Sequence, residues 1–325
     1  METIDYLNPV PKVAPYFPPL KGKEEYIELS GLFLPVNEAE KADVALIGAG
    51  LDAGTTKPVG PKSGPDGVRK GLSTYKTYSE EVGVELRDLI KLVDLGDIEM
   101  PINNVPEAFK RISYVLAETL SINLIPIVFG GDHSVTQATF KSFSEHFGGD
   151  VGLIWVDKHF DTMPTYRGEK YTTGSSLLRI LEQDLVKPEN VVHLGAYSFF
   201  NFKICWDYMR KYGIKVITAE DIERQGIIDA VNMATKIANN GVKSFYVTLD
   251  VDVLDGSFAP GTQSATTGGL TSSQLMRIIQ MLSLAGAGGF DLVEFAPPLD
   301  IGDITARLAG GLVMEFLGGV AKRKQ

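Results

Sequence analysis

Eight short runs that are mostly apolar at consecutive positions constrain this chain more than any other feature. They cover residues 42–48, 91–94, 122–129, 151–157, 191–194, 215–218, 244–249 and 291–295. A strand exposed on one face alternates polar and apolar residues, whereas an unbroken apolar run suits a strand buried on both faces. Between these runs lie stretches with helical spacing, around 66–78, 106–121, 134–147, 175–182, 205–212, 227–239, 272–284 and 304–320. Strict alternation of this kind predicts a mostly parallel sheet of about eight strands between two layers of helices, a three-layer α/β/α fold. Pro9, Pro11, Pro15, Pro18 and Pro19 forbid a long helix near the start. Residues 1–41 therefore read as an irregular arm, pinned by Tyr16, Phe17, Leu32 and Phe33, and 42–325 as one catalytic domain. No repeat or linker divides the chain further.

Three of the apolar runs end in ionisable residues. The run 122–129 leads into GGDHS with His133; 151–156 leads into Asp157, His159 and Asp161; and 244–249 leads into Asp250 and Asp252. Spacings of i and i+2 on a strand put these side chains on one face. In open parallel sheets, ligands bind beyond the carboxyl ends of the strands. A lone Asp at such a place is ordinarily a cap or turn residue, and a lone His a core residue. Together they form a set that water alone would not stabilise, because like charges gathered in one cleft need a cation between them. Two imidazoles with four carboxylates and no thiolate favour Mn²⁺, with Ni²⁺, Co²⁺ or Fe²⁺ as substitutes, over structural zinc. Six ligands suit two ions with bridging carboxylates, which supply hydroxide at neutral pH. The expected chemistry is attack of that hydroxide on an unreactive carbon or phosphorus centre.

Glu294 ends the last run and should face the same mouth. A carboxylate there suits a guanidinium or amidinium group held by charge-assisted hydrogen bonds, not a phosphate. The long loop 49–67, rich in Gly and Pro, is expected to wall the pocket. Lys158, inside the DxHxD stretch, should point away from the metals by strand alternation, unless the chain bends there to let it meet a substrate carboxylate. Lys57 and Lys62 are further basic candidates.

The net charge of −10, from 31 Lys+Arg against 41 Asp+Glu, argues against nucleic acid as a partner. The one cysteine, Cys205, excludes a disulfide framework and reads as a small core side chain. No run approaches the roughly 18 apolar residues of a spanning helix, and the N-terminus lacks a signal-peptide pattern. The expectation is a cytoplasmic protein without membrane partners.

GGDHS (130–134), DxHxD (157–161), DVDVLD (250–255) with the APG and GG that follow, and VEFAPPLD (293–300) resemble the ureohydrolase family of arginases, agmatinases and formimidoylglutamases. GTTKPVGPKSGP (54–65) is similar to the agmatinase substrate loop. The resemblance spans about residues 42–320 and implies an arginase-like fold with a binuclear Mn²⁺ site. By position, His133, Asp157, Asp161 and Asp250 would hold one ion, and His159, Asp157, Asp250 and Asp252 the other. The bridging hydroxide would attack the guanidinium carbon of a small cationic substrate, agmatine by first choice, and release urea. Asp161 would pass a proton to the leaving amine, and Glu294 would orient the substrate. Homotrimers or homohexamers are common in the family.

The chain also departs from the pattern. Thr173 and Gly174 stand where many members have His-Gly, Gly256 stands for Pro, and Gln263-Ser264-Ala265 for Gly-Thr-Pro. The Thr173 and 263–265 differences resemble formimidoylglutamases and motivate an alternative, release of formamide from N-formimino-glutamate, with Thr173, Gly174 and Lys158 as substrate contacts. A further alternative is a non-catalytic metal-binding relative, motivated by the missing histidine.

Overall fold

The structure, a computed structural model, describes residues 4–8, 29–57 and 60–325. Its elements run β1 (Leu7–Asn8), β2 (Phe33–Leu34), β3 (Val44–Ala49), α1 (Gly64–Leu72), β4 (Tyr78–Ser79), β5 (Val84–Glu85), α2 (Leu86–Leu89), β6 (Leu92–Ile98) and α3 (Val105–Ser121). There follow β7 (Ile125–Gly130), α4 (Thr136–His146), β8 (Val151–Val156), α5 (Ser176–Glu182), β9 (Val191–Leu194), α6 (Lys203–Tyr212) and β10 (Lys215–Ile217). The chain closes with α7 (Ala219–Gln225), α8 (Ile227–Ala238), β11 (Ser244–Asp250), α9 (Ser272–Leu284), β12 (Gly289–Val293) and α10 (Ile304–Lys322).

Ten strands form one sheet in the order β1-β6-β3-β7-β12-β11-β8-β9-β10, with β2 also pairing β6. All pairings are parallel except β1 with β6. The eight expected strands are all present; β1 and β2, two residues each, bring the number to ten. Every residue of β3 and β8 is buried, as unbroken apolar runs require. Successive residues feed opposite layers. Ile127, Phe129, Val247, Leu249, Ile154 and Val156 pack with α8, α9 and α10 residues on one face. Val128, Tyr246, Leu153 and Trp155 pack with α3, α4 and α5 on the other.

Several boundaries differ from expectation. The first helix starts at Gly64 and ends at Leu72 rather than near Tyr78. The hydroxyls of Ser73 and Thr74 donate to the carbonyls of Lys70 and Gly71, which would otherwise serve the next turn. Tyr78–Ser79 instead pairs with Val84–Glu85 as a small hairpin. Lys91 lies outside β6, which runs on to Ile98. Tyr16 and Phe17 fall outside the described residues; Leu32 is buried in the core. α10 corrects the reading that no run approaches spanning length. It has 19 residues, and an 18-residue window within it has a mean hydropathy of 1.3, but 78% of that window is buried inside the protein, where the helix packs against α9 and α1. Such burial makes it a core helix by composition and place.

The order β7-β12-β11-β8 brings four strand ends side by side in the middle of the sheet. Their registers are level: Phe129 pairs with Leu292, Val293 with Asp250, and Leu249 with Val156. Each residue just past these ends therefore opens into the same cleft.

Candidate metal centre

The acids do not converge by strand alternation. Asp250 is the last residue of β11, and Asp252 lies in a 3-10 turn that follows. Asp157 lies just past β8. The Asp250 side chain accepts from Asp252 N at 2.8 Å, Asp157 from His159 N at 2.7 Å, and Asp132 from Ser134 N at 2.9 Å. Three strand ends thus use one device: an Asp side chain caps its own chain two residues on. At Asp157 and Asp250 the turn brings residues i and i+2 together around the cleft, and the second carboxylate oxygens of Asp132 and Asp157 accept from Gly54 N at 2.8 Å and from Trp155 Nε1 at 3.2 Å. Asp161 (φ 47°) and Glu294 (φ 63°) sit in left-handed backbone, strain of a kind that surrounding structure must hold in place.

Two ligand groups result. Asp157, His159, Asp250 and Asp252 place one donor atom each within 4.8 Å of one another, as do His133, Asp157 and Asp161. Asp157 belongs to both, and Asp250 Oδ2 is also 3.5 Å from His133 Nδ1. His133 Nδ1 lies 3.1 Å from Asp157 and 3.0 Å from Asp161, while His159 Nδ1 lies 3.2 Å from Asp252. Yet His133 Nδ1, Asp161 Oδ2 and Asp252 Oδ1 are buried with no hydrogen-bond partner. Orphaned polar atoms of this kind are costly, and donors of this mixed N/O set fit divalent cations.

The electrostatics agree. Burial, then Asp252 and Asp157, push the Asp250 carboxyl well above the usual range. Burial, then Asp157, raise Asp161 to about 6. Burial works against a charge on His133, but the carboxylates of Asp157, Asp161 and Asp250 facing it outweigh that and hold the ring well above its ordinary value. Such acids relieve their repulsion by taking up cations.

A second ring of residues fixes the ligands. His133 Nε2 meets Thr248 Oγ1 at 2.9 Å, and its ring stacks on Trp155 with centroids 4.2 Å apart. Thr248 meets Thr136 at 3.2 Å, which donates to Asp291 Oδ2 at 3.1 Å. Thr139 and Tyr246 also donate to Asp291. His193 Nε2 meets His159 O at 2.7 Å. None of these residues stood out in the sequence, where they read as core strand and helix positions.

The cleft opens into a cavity of about 320 Å³, lined by Asp161, Asp250, Asp252, His159 and Glu294 together with Thr173, Gly174, Lys57 and Lys158. Glu294 Oε1 accepts from His133 N at 2.8 Å and from the Thr173 hydroxyl at 2.5 Å; burial, then Asp132, raise its carboxyl to about 7. Lys158 does not point away. It follows Asp157 after the strand has ended, so alternation no longer governs it. Its Nζ is 3.7 Å from Asp252 and donates to Ser264 O. Lys57 Nζ donates to Gln263 O and to Ser264 Oγ. Lys62 is not among the lining residues. Gln263 and Ser264, noted in the sequence as departures, line the cavity as well, whereas Phe200, Asn201 and Thr266 are lining residues that the sequence reading missed; they arrive on loops without periodicity. Cys205 is buried, as expected, and also lines the cavity.

A family model described as Arginase family matches residues 42–318. The mitochondrial agmatinase of Gallus gallus is 32% identical over 89% of this chain and 84% of its own length. The mitochondrial guanidino acid hydrolase of Homo sapiens is 31% identical over 89% of this chain and 82% of its own. The solved formimidoylglutamase of Bacillus subtilis subsp. subtilis str. 168 superposes with a TM-score of 0.86 at 25% identity, covering 92% of this chain and 93% of that one.

Proposed function

This chain belongs to the arginase family and is a hydrolase of amidino C–N bonds, and we propose that it is a two-Mn²⁺ enzyme releasing urea from a small guanidino compound. The observation that carries this reading is the pair of ligand groups sharing Asp157, with buried donor atoms left unpaired, beside Glu294. His133, Asp157, Asp161 and Asp250 would hold one ion, and His159, Asp157, Asp250 and Asp252 the other; Ni²⁺, Co²⁺ or Fe²⁺ would fit the same donors. When bound, the ions act as Lewis acids and supply hydroxide at neutral pH.

The protein's own groups do the rest. Glu294, held by Thr173 and the His133 amide, pairs with the amidinium and sets its plane. The walls of the cavity limit bulk water around that pair. One C–N bond breaks: water's oxygen stays on the carbon as urea, and the tail departs as an amine. Asp161 Oδ2, with no hydrogen-bond partner, carries the proton to that amine.

Two lysines in the cavity favour a substrate whose far end is a carboxylate over agmatine, whose far end is a second cation. The loop that suggested agmatine itself contributes Lys57. A second reading, hydrolysis of N-formimino-glutamate to formamide, is favoured by Thr173, whose hydroxyl binds Glu294. The non-catalytic reading, motivated by the missing histidine, is disfavoured because the relatives this chain matches are named as hydrolases. The test is a panel on Mn²⁺-loaded protein: urea from guanidinobutyrate, agmatine, arginine and guanidine, and formamide from N-formimino-glutamate. Guanidinobutyrate is expected to exceed agmatine in kcat/KM. No product from any of the five would overturn the proposal.

A further inference from the structure

Lys158 stands in a place where a positive charge is hard to account for. Its side chain is wholly buried, and it lies between two metal-ligand candidates in the chain, Asp157 and His159. Its Nζ lies 3.7 Å from Asp252 Oδ2, 3.3 Å from Thr266 Oγ1 and 4.9 Å from the centre of the Phe200 ring, and it donates to Ser264 O. Its backbone is pinned as well: Asn201 donates to Lys158 O at 2.8 Å and accepts from Phe160 N at 2.7 Å. The ammonium is therefore held at the cavity wall by a carbonyl, a hydroxyl and a ring face.

Among the described residues, Asp252 is the one carboxylate of the four that has a lysine partner. Asp157, Asp161 and Asp250 have ion pairs to histidine alone. The two ligand groups are thus not equivalent. Asp252 belongs to the group with His159 and not to the group with His133 and Asp161.

Resting on the two-ion reading above, we infer that Lys158 makes the two metal positions unequal, so that the ion held by Asp157, His159, Asp250 and Asp252 is bound more weakly than the ion beside His133 and Asp161. Two effects act together. A fixed monovalent cation a few ångströms away repels an incoming divalent one, and the repulsion is poorly screened because the ammonium is buried. The incoming ion also draws charge from Asp252, which leaves the buried ammonium with only neutral partners. The His133 group suffers neither effect at such close range. The centre is then expected to load in order, the His133 position first.

The experiment is calorimetric titration of metal-free protein with Mn²⁺, paired with electron paramagnetic resonance to separate lone from coupled ions. Wild type should show two steps whose Kd values differ by at least about tenfold. Asp252→Asn should abolish the weaker step and keep the tighter one. Lys158→Met, close in length and neutral, should tighten the weaker step by about tenfold or more while leaving the tighter step in place. Lys158→Arg, which keeps the charge, should preserve the gap and guards against reading a folding defect as an electrostatic effect. Two equal steps in wild type, a weaker step unmoved in Lys158→Met, or loss of the tighter step in Asp252→Asn would each overturn the inference. Failure of wild type to bind any Mn²⁺ would instead overturn the two-ion reading on which it rests.

Discussion

Thr248→Val tests whether the buried hydroxyl chain behind His133 tunes the metal site or merely packs. Valine keeps the shape of threonine and deletes its hydroxyl, so no cavity opens. Thr248 Oγ1 has two partners here, His133 Nε2 at 2.9 Å and Thr136 Oγ1 at 3.2 Å. Thr136 keeps Asp291 after the change, so the substitution creates one orphan, His133 Nε2, on a fully buried ring. One unsatisfied buried group costs about 1–3 kcal/mol. The second effect is on the ligand itself. His133 Nδ1 faces Asp157, Asp161 and Asp250, so the Nε2 proton belongs on the side of Thr248 and fixes both tautomer and ring angle. Loss of such an outer hydrogen bond lowers metal affinity by about 10–100-fold.

Urea unfolding of the metal-free variant should show a loss of about 1–3 kcal/mol. Mn²⁺ titration should show one step weakened by about 10–100-fold and the other unchanged, because Thr248 bonds His133 and not His159. Lower stability with both Mn²⁺ steps intact would show that Thr248 is a packing residue and that Trp155 stacking alone holds the ring. Weakening of both steps equally would show that the effect is not transmitted through His133, and would also refute the reasoning.

Four further outcomes follow from the same geometry. His193 is pushed down to about 4, mainly by burial. The unfolded chain therefore binds the extra proton first as pH falls below about 6.5, and this one group should remove roughly 3 kcal/mol of stability between pH 6.5 and 4, measured as the difference in urea midpoints between wild type and His193→Gln. Arg69→Leu strips Asp94, 5% exposed, of the guanidinium at 2.8 Å and should cost about 3–5 kcal/mol by the same assay, with Asp94→Asn added to the variant recovering part of it. A Cβ on Gly71 would lie 1.8 Å from Ala306 O, so Gly71→Ala should push α1 off α10 and lower stability by about 1–3 kcal/mol or more. Thr173→Val removes a donor that lowers the Glu294 carboxyl; the acid limb of kcat/KM against pH should move upward, with the alkaline limb fixed.

The sheet was legible because its strands are buried on both faces: an unbroken run such as VGLIWV has few other homes. The ligand residues were legible because their types are costly together. Their geometry was not. Alternation predicts i and i+2 on one face and i+1 on the other, and for Asp157, Lys158 and His159 that would send the lysine out of the cleft. The strand stops one residue too soon for the rule to hold. Once Asp157 caps the amide of His159, position 158 is free to turn, and the ammonium comes back beside Asp252. A period-2 argument fails where the backbone leaves the sheet, and in parallel sheets that is also where sites are built. The outer ring shows the complementary limit. Thr248, Thr136 and Asp291 sit inside a strand, a helix and a strand, where a sequence shows only small or polar breaks in apolar runs. Their meaning comes from register: β11 and β12 pair Thr248 with Asp291, and α4 brings Thr136 over both. The candidate metal ligands announce themselves by charge, whereas the residues that orient them become visible only when neighbouring strands are laid side by side.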